Sequence, residues 1–155
     1  MGEAELETAL RQARDEPRTV VLTNGAFDVL HPGHLAYLRE ARGLGDLLVV
    51  GVNTDDAVRR LKGPGRPLVA EADRAEMLAA LDPVDLVVLF PEPRADDLIR
   101  RVRPKVYVRA GDYPPESLPE WDAAASLGVE VRMIDYRRGY STTALLERMR
   151  ETEEA

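Results

Sequence analysis

The chain has 155 residues, 45% hydrophobic and 32% charged, the size and composition of one globular domain. It has no cysteine, which excludes a disulfide framework and a thiolate metal site, and two histidines leave little for zinc. A net charge of −7 argues against non-specific binding to nucleic acid or an acidic membrane, whereas a small phosphorylated ligand responds only to local charge.

Met1-Gly2-Glu3-Ala4-Glu5 lacks a basic and apolar signal pattern, and no apolar run approaches the ~20 residues of a membrane helix, so a cytoplasmic location is expected. Residues 1–17 read as a polar helical lead-in, residues 18–150 as a single domain, and 151–155 as a frayed tail. Thr19 to Thr23 is strand-like, and Asn24-Gly25-Ala26-Phe27-Asp28 is a turn. Gly33 to Arg42 has helical spacing, with Leu35, Leu38 and Ala41 inward. Leu47 to Val52 is wholly apolar, as a central parallel strand requires. Thr54 caps a short helix ending at Leu61, and Lys62-Gly63-Pro64-Gly65-Arg66-Pro67 is a glycine/proline loop.

Glu71 to Leu81 is then helical, Val84 to Phe90 a strand, Asp96 to Val102 a helix, and Lys105 to Arg109 a strand running into Ala110-Gly111-Asp112-Tyr113. Pro119 to Leu127 is a helix ended by Gly128, followed by strand Val129 to Ile134. Gly139-Tyr140-Ser141-Thr142-Thr143 leads into a last helix, Ala144 to Arg150. The alternation predicts an α/β fold, a Rossmann-like doubly wound five-stranded parallel sheet that binds ligands at the carboxyl ends of its strands.

The only two histidines stand three apart in His31-Pro32-Gly33-His34, between a strand and a helix. Proline is favoured at a first helical turn, so both imidazoles lie beside a helix N-terminus, where backbone N–H groups and the helix dipole attract anions. That is a phosphate site with two proton-capable donors. A zinc pair is disfavoured, because no third ligand is evident. Lys62 is one of only two lysines among 21 basic residues, so its presence in the glycine/proline loop points to a compact mobile charge.

Four blocks in order resemble the cytidylyltransferase-like nucleotidyltransferases. They are Gly25-Ala26-Phe27-Asp28-Val29-Leu30-His31-Pro32-Gly33-His34, Arg60-Leu61-Lys62-Gly63-Pro64-Gly65-Arg66-Pro67, Gly111-Asp112-Tyr113 and Gly139-Tyr140-Ser141-Thr142-Thr143. The likeness runs from about residue 18 to 150 and is closest to the D-glycero-β-D-manno-heptose 1-phosphate adenylyltransferase branch. Three departures stand out. The branch usually carries cysteine where Ala26 stands and lysine-glycine where Arg109-Ala110 stand. It also tends to be uncharged where Asp135-Tyr136-Arg137-Arg138 precede Gly139.

The resemblance implies a nucleoside triphosphate and a sugar or polyol phosphate as substrates, and pyrophosphate as leaving group. Mg²⁺ is expected to bind through the substrate phosphates rather than a protein carboxylate cage. In that reading His31, His34 and Lys62 are catalytic: they donate to phosphate oxygens as charge builds in an in-line attack, for which protonated imidazole serves best. Gly25, Ala26, Phe27, Gly33, Arg109, Gly111, Asp112, Tyr140, Ser141, Thr142 and Thr143 bind the nucleotide, with Phe27 either packing or stacking on the base. Asn24, Asp28 and Arg74 bind the acceptor, Arg74 being otherwise a surface helix charge and Asp28 a turn-former. Arg137 and Arg138 are either a solvated pair or a clamp for the acceptor phosphate.

The first expectation is AMP transfer from ATP to a sugar 1-phosphate. On the same fold stand CMP transfer from CTP to glycerol 3-phosphate or a similar polyol phosphate, and FMN adenylylation. From other classes come a nucleotide sensor without turnover and a subunit acting with a partner kinase. A homodimer is common among related enzymes.

Overall fold

The computed structural model describes residues 3–135 and 142–154. The expectations for Arg137, Arg138, Tyr140 and Ser141, and for the side chains of Thr142 and Thr143, lie outside the described residues.

Five strands form one sheet: β1 (Val20–Gly25), β2 (Leu47–Asn53), β3 (Leu86–Phe90), β4 (Val106–Ala110) and β5 (Glu130–Ile134). Every pairing is parallel, in the order β3-β2-β1-β4-β5. Helices cover both faces, so β1 and β2 bury both sides of their apolar runs; Val21, Leu22, Leu48, Val49 and Val50 have no exposed surface. From β1 the chain winds outward to β2 and β3, then returns to β4 on the other side of β1. The loops after β1 and β4 therefore leave in opposite directions and open a crevice between those two strand ends. The register pairs Thr23 with Val108, which brings Asn24 and Arg109 side by side at its mouth.

One face is covered by α1 (Glu3–Asp15), α5 (Asp96–Val102) and α6 (Trp121–Ser126), packed around Tyr107, Val88 and Phe90. The other carries α2 (Pro32–Arg42) and α4 (Glu71–Ala79) around Val21, Val50 and Val108. The remaining helices are α3 (Asp55–Lys62) and α7 (Thr142–Glu154). Among the described residues no helix is long and apolar enough to cross a membrane.

Residues 3–15 are more than a polar lead-in. Leu6, Leu10 and Ala13 recur at helical spacing and are buried in the core, so α1 is an integral layer of the fold. In α2 the buried stripe is His34, Tyr37, Leu38 and Ala41, whereas Leu35 is only half-buried. At 100° per residue Leu35 lies about 110° from the centre of that stripe, at its edge. Helix α4 stops at Ala79, short of Leu81, ahead of Pro83. Helix α6 starts at Trp121 rather than Pro119, because a single 3-10 turn, Pro115–Ser117, occupies the proline-rich approach. Within the expected frayed tail, residues 151–154 are instead the last turn of α7. No glycine or proline interrupts residues 144–154, and Thr152 Oγ1 donates to the Arg148 carbonyl one turn back at 2.9 Å.

Candidate active site

β1 ends at Gly25, and the chain turns through Phe27, a non-glycine residue at φ 48°. The Phe27 side chain fills the α2 face of the core and lies 5.5 Å, centroid to centroid, from the His34 ring. Gly25 makes room for it, since a Cβ there would stand 3.1 Å from Phe27 Cε2. At 5% exposure Phe27 cannot stack on a nucleotide base. It supports a histidine instead.

His31 is extended (φ −144°, ψ 169°) and is the N-cap of α2, with Pro32 in the first turn. Its Nδ1 accepts the His34 backbone N–H at 3.3 Å, and His34 Nδ1 accepts the His31 backbone N–H at 3.3 Å. This is a capping box made by two imidazoles rather than by a hydroxyl and a glutamate. The rings stack at 3.8 Å with an interplanar angle of 23°. Because each Nδ1 is an acceptor, the neutral tautomer of each ring carries its proton on Nε2. Burial lowers the His31 pKa; burial, then repulsion from His31 and Lys62, lowers that of His34 to about 4. Protonated imidazole was the expectation. In the ligand-free protein near neutral pH the pair is neutral, and its donors are two Nε2–H groups.

Two hydroxyls tie α2 to the crevice. Thr23 Oγ1 and Tyr37 Oη lie 2.6 Å apart, and both contact the Val108 carbonyl, at 2.9 and 3.2 Å. The helix that carries the histidines is thereby pinned to β1 and β4 at once.

Lys62 is the last residue of α3 rather than part of the loop, which begins at Gly63 (φ 89°). Burial and the neighbouring Arg66 charge lower its pKa, Asp28 opposing. Its charge acts in turn on His34, adding to the lowering of that pKa. Across from it, the Asp28 carboxylate, with a side chain 1% exposed, is fully engaged by the loop. It accepts Arg66 Nε–H at 3.0 Å and the backbone N–H groups of Leu68 and Val69 at 2.9 Å. Burial alone would raise its pKa, but these donors outweigh burial and the net shift is downward. Asp28 is thus a latch for residues 66–69 and not an acceptor ligand.

Arg74 is also redirected. Its side chain has no exposed surface and donates to the carbonyls of Val69, Ala26 and Asn53 and to the Asp55 carboxylate, at 2.7 to 2.8 Å. It bolts the loop, the β1 turn and the end of β2 together. Four of its five N–H donors are committed to protein partners and the guanidinium is buried, so Arg74 acts here as a support of the site.

At the other lip of the crevice, Arg109 Nη1 donates to the buried carboxylate of Glu120 and lies 3.5 Å from the Tyr107 hydroxyl. Tyr107 Oη is 2.8 Å from both Glu120 Oε1 and Asn24 Oδ1. Gly111 sits at φ 141°, where a Cβ would fall 2.4 Å from the Tyr113 ring, and its N–H donates to the Ile134 carbonyl. The Gly111 amide is therefore occupied by the sheet rather than available to a nucleotide, while Asp112 next to it is exposed.

Of the expected residues, the structure gathers His31, His34, Gly33 and Lys62 at one lip and Asn24 and Arg109 at the other. Tyr107 and Glu120 were not anticipated. Tyr107 reads as a core residue of an apolar strand, and Glu120 follows a proline in a segment without a motif. The parallel pairing of β1 with β4 brings Tyr107 to Asn24, and Glu120 meets the Tyr107 hydroxyl from the start of α6.

The chain is 49% identical over 144 residues to the bifunctional protein HldE of Syntrophotalea carbinolica, covering 93% of this chain and 29% of that one. It is also 49% identical over 150 residues to the bifunctional protein HldE of Rhodopseudomonas palustris, covering 97% and 31%. It thus spans under a third of the length of these relatives. Among solved structures, a lipopolysaccharide core biosynthesis protein from Thermoplasma volcanium superposes with a TM-score of 0.63 at 28% identity, covering 80% of this chain and 99% of that one. Residues 22–148, from the middle of β1 into α7, match one family description, and the histidine-bearing turn and the sheet that positions it lie inside that match: the chain belongs to the cytidylyltransferase-like family.

Proposed function

We propose that the chain is a nucleotidyltransferase that transfers AMP from ATP to a sugar 1-phosphate of the heptose class, releasing pyrophosphate. The observation that carries this reading is the reciprocally capped pair His31/His34. Two Nε2–H donors stand at a helix N-terminus, beside Lys62 and at the strand ends where the chain reverses direction. An acceptor phosphate oxygen attacks the α-phosphorus, and the bond from that phosphorus to the bridging oxygen of pyrophosphate breaks. Charge grows on the equatorial and leaving oxygens, and fixed donors stabilise it without a covalent enzyme intermediate.

Lys62 meets the same charge from the end of α3. Arg109, Asp112 and the backbone around Gly25, Ala26 and Gly33 line the nucleotide side, and Asn24 offers its amide to acceptor hydroxyls. Asp28, Arg74 and Phe27 support the site from behind. Mg²⁺ would enter as part of the nucleotide, on phosphate oxygens and water. The heptose assignment is supported by the similarity to the HldE proteins and by the Arg60–Pro67 and Gly139–Thr143 blocks.

The test is pyrophosphate release with ATP or CTP against heptose 1-phosphate, other sugar 1-phosphates and glycerol 3-phosphate. ATP with a sugar 1-phosphate is expected to exceed CTP by at least ~10-fold in kcat/KM, a difference of only about 1.4 kcal/mol in transition-state binding. A preference for CTP with glycerol 3-phosphate overturns the assignment.

A further inference from the structure

Glu120 is an acid where the fold alone requires none. It is 2% exposed, sits just ahead of α6, and has Tyr107 and Arg109 as side-chain partners. A buried carboxylate is costly unless paired, and this one is paired with a cation and a hydroxyl that both belong to β4. Tyr107, itself without exposed surface, passes the constraint across the sheet: its hydroxyl is 2.8 Å from Asn24 Oδ1 on β1. The four side chains form one chain of contacts, Arg109–Glu120–Tyr107–Asn24, spanning the crevice between β1 and β4.

Two features make this more than core satisfaction. First, the network ends on residues at the crevice mouth. Asn24 is half-buried and the Arg109 side chain is 31% exposed, so both remain able to touch a ligand. Second, the Tyr107 hydroxyl has one proton and two acceptors at 2.8 Å, so Glu120 and Asn24 compete for it and a change at Glu120 alters the hold on Asn24. The ion pair also offsets the Arg109 charge, leaving Lys62 and the helix N-terminus as the cationic features facing the phosphates.

We propose that Glu120 is a positioning residue for acceptor selectivity, anchoring Arg109 and the Tyr107 hydroxyl and, through that hydroxyl, fixing Asn24 where it meets acceptor hydroxyls. This rests on the crevice being a nucleotidyl-transfer site with a hydroxyl-rich acceptor. A site whose polar groups are held in place rejects ligands that leave them unpaired, whereas a loosened Asn24 discriminates poorly.

The experiment uses the full chain with Glu120→Gln, which keeps size and an acceptor oxygen but loses the charge. Tyr107→Phe keeps the ring and breaks the link to Asn24. Pyrophosphate release is followed while heptose 1-phosphate, glycerol 3-phosphate and ATP are each titrated. In Tyr107→Phe, which leaves the Glu120–Arg109 pair in place, the KM for the sugar phosphate is expected to rise about 10-fold, with kcat within about 3-fold and the ATP KM unchanged, so that the preference over glycerol 3-phosphate narrows. Glu120→Gln, which also releases Arg109 on the nucleotide side, is expected to change the acceptor KM and the ATP KM together. A merely structural role would lower the melting temperature without splitting the acceptor KM from the ATP KM. Unchanged acceptor KM in the folded variants, or an ATP KM that rises as much in Tyr107→Phe, overturns the proposal. If Glu120→Gln does not fold, Tyr107→Phe carries the comparison. If the wild type uses a different acceptor from the panel, the heptose assignment fails, and the acceptor KM of the variants on that substrate still decides the role of Glu120.

Discussion

His31 and His34 each cap the other's backbone through Nδ1, and the neutral tautomer of each carries its ring proton on Nε2. A substitution at either position therefore removes a cap and a donor together, and the two losses can be separated. His31→Asn keeps a side-chain oxygen able to cap α2 but lacks the imidazole donor; His31→Ala lacks both. Turnover is expected to fall about 10²–10³-fold in both, as for the loss of an oxyanion donor. Only His31→Ala should lose stability as well, by about 1 kcal/mol, the usual value of an N-cap. Steady-state kinetics and thermal unfolding of the two variants test this, and near wild-type turnover in both would remove the histidine from the mechanism. Arg74 shows what sequence reading misses at this scale. In Glu71-Ala72-Asp73-Arg74 it has the neighbours of a surface helix charge, yet its partners come from Ala26, Asn53, Asp55 and Val69.

At the scale of elements, the segment after α3 has two parts. Residues 63–65 carry the glycines and the left-handed φ angles, while residues 66–69 are latched to Asp28, 38 to 41 residues away in sequence. Lys62 stands just before the unlatched part, so its reach depends on both ends. Lys62→Ala is expected to lower kcat with little change in melting temperature, and Lys62→Arg to be impaired too, because a planar fork does not replace a point charge. Asp28→Asn should behave differently. It weakens three bonds to a buried group, at a cost of about 1–3 kcal/mol, and should expose residues 63–69 to limited proteolysis. If Asp28→Asn leaves both melting and proteolysis unchanged, the latch does not hold the loop.

At the scale of the whole molecule, the site couples stability to pH in two separate windows. The His34 pKa is about 4 in the folded chain against an ordinary 6.5, so between those values the unfolded chain binds the additional proton. Stability from this group is complete above pH 6.5 and declines as pH falls towards 4. Asp28 is shifted below its ordinary 3.8, so its contribution is present above 3.8 and is lost only as pH falls through the lower folded value. Melting temperature is therefore expected to decline first between pH 6.5 and 4, and His34→Asn should flatten that part of the curve. A bound triphosphate raises the histidine pKa values, so ATP binding near pH 6 should take up protons. Calorimetry in buffers of different ionisation enthalpy measures that uptake, and its absence would mean that the triphosphate does not lie against the pair.

The apolar runs at Val20–Leu22 and Leu47–Val52, the glycine and proline breaks between them and the spacing of His31 and His34 already determine a parallel α/β sheet and its histidine-bearing turn. Those signals are local: period, propensity and caps act within a few residues. Even so, the apolar stripe Leu6, Leu10 and Ala13 was legible as a packing face, although the surrounding charges make α1 look like a solvated lead-in. Which polar groups engage one another was decided only by the tertiary structure. Asp28 meets Leu68, and Tyr107 meets Asn24 83 residues away, because the crossovers and strand order bring their backbones together. Once the groups are buried, each must be paired. That requirement turned Asp28 and Arg74 from candidate ligands into supports, and made Glu120, silent in the sequence, part of the crevice.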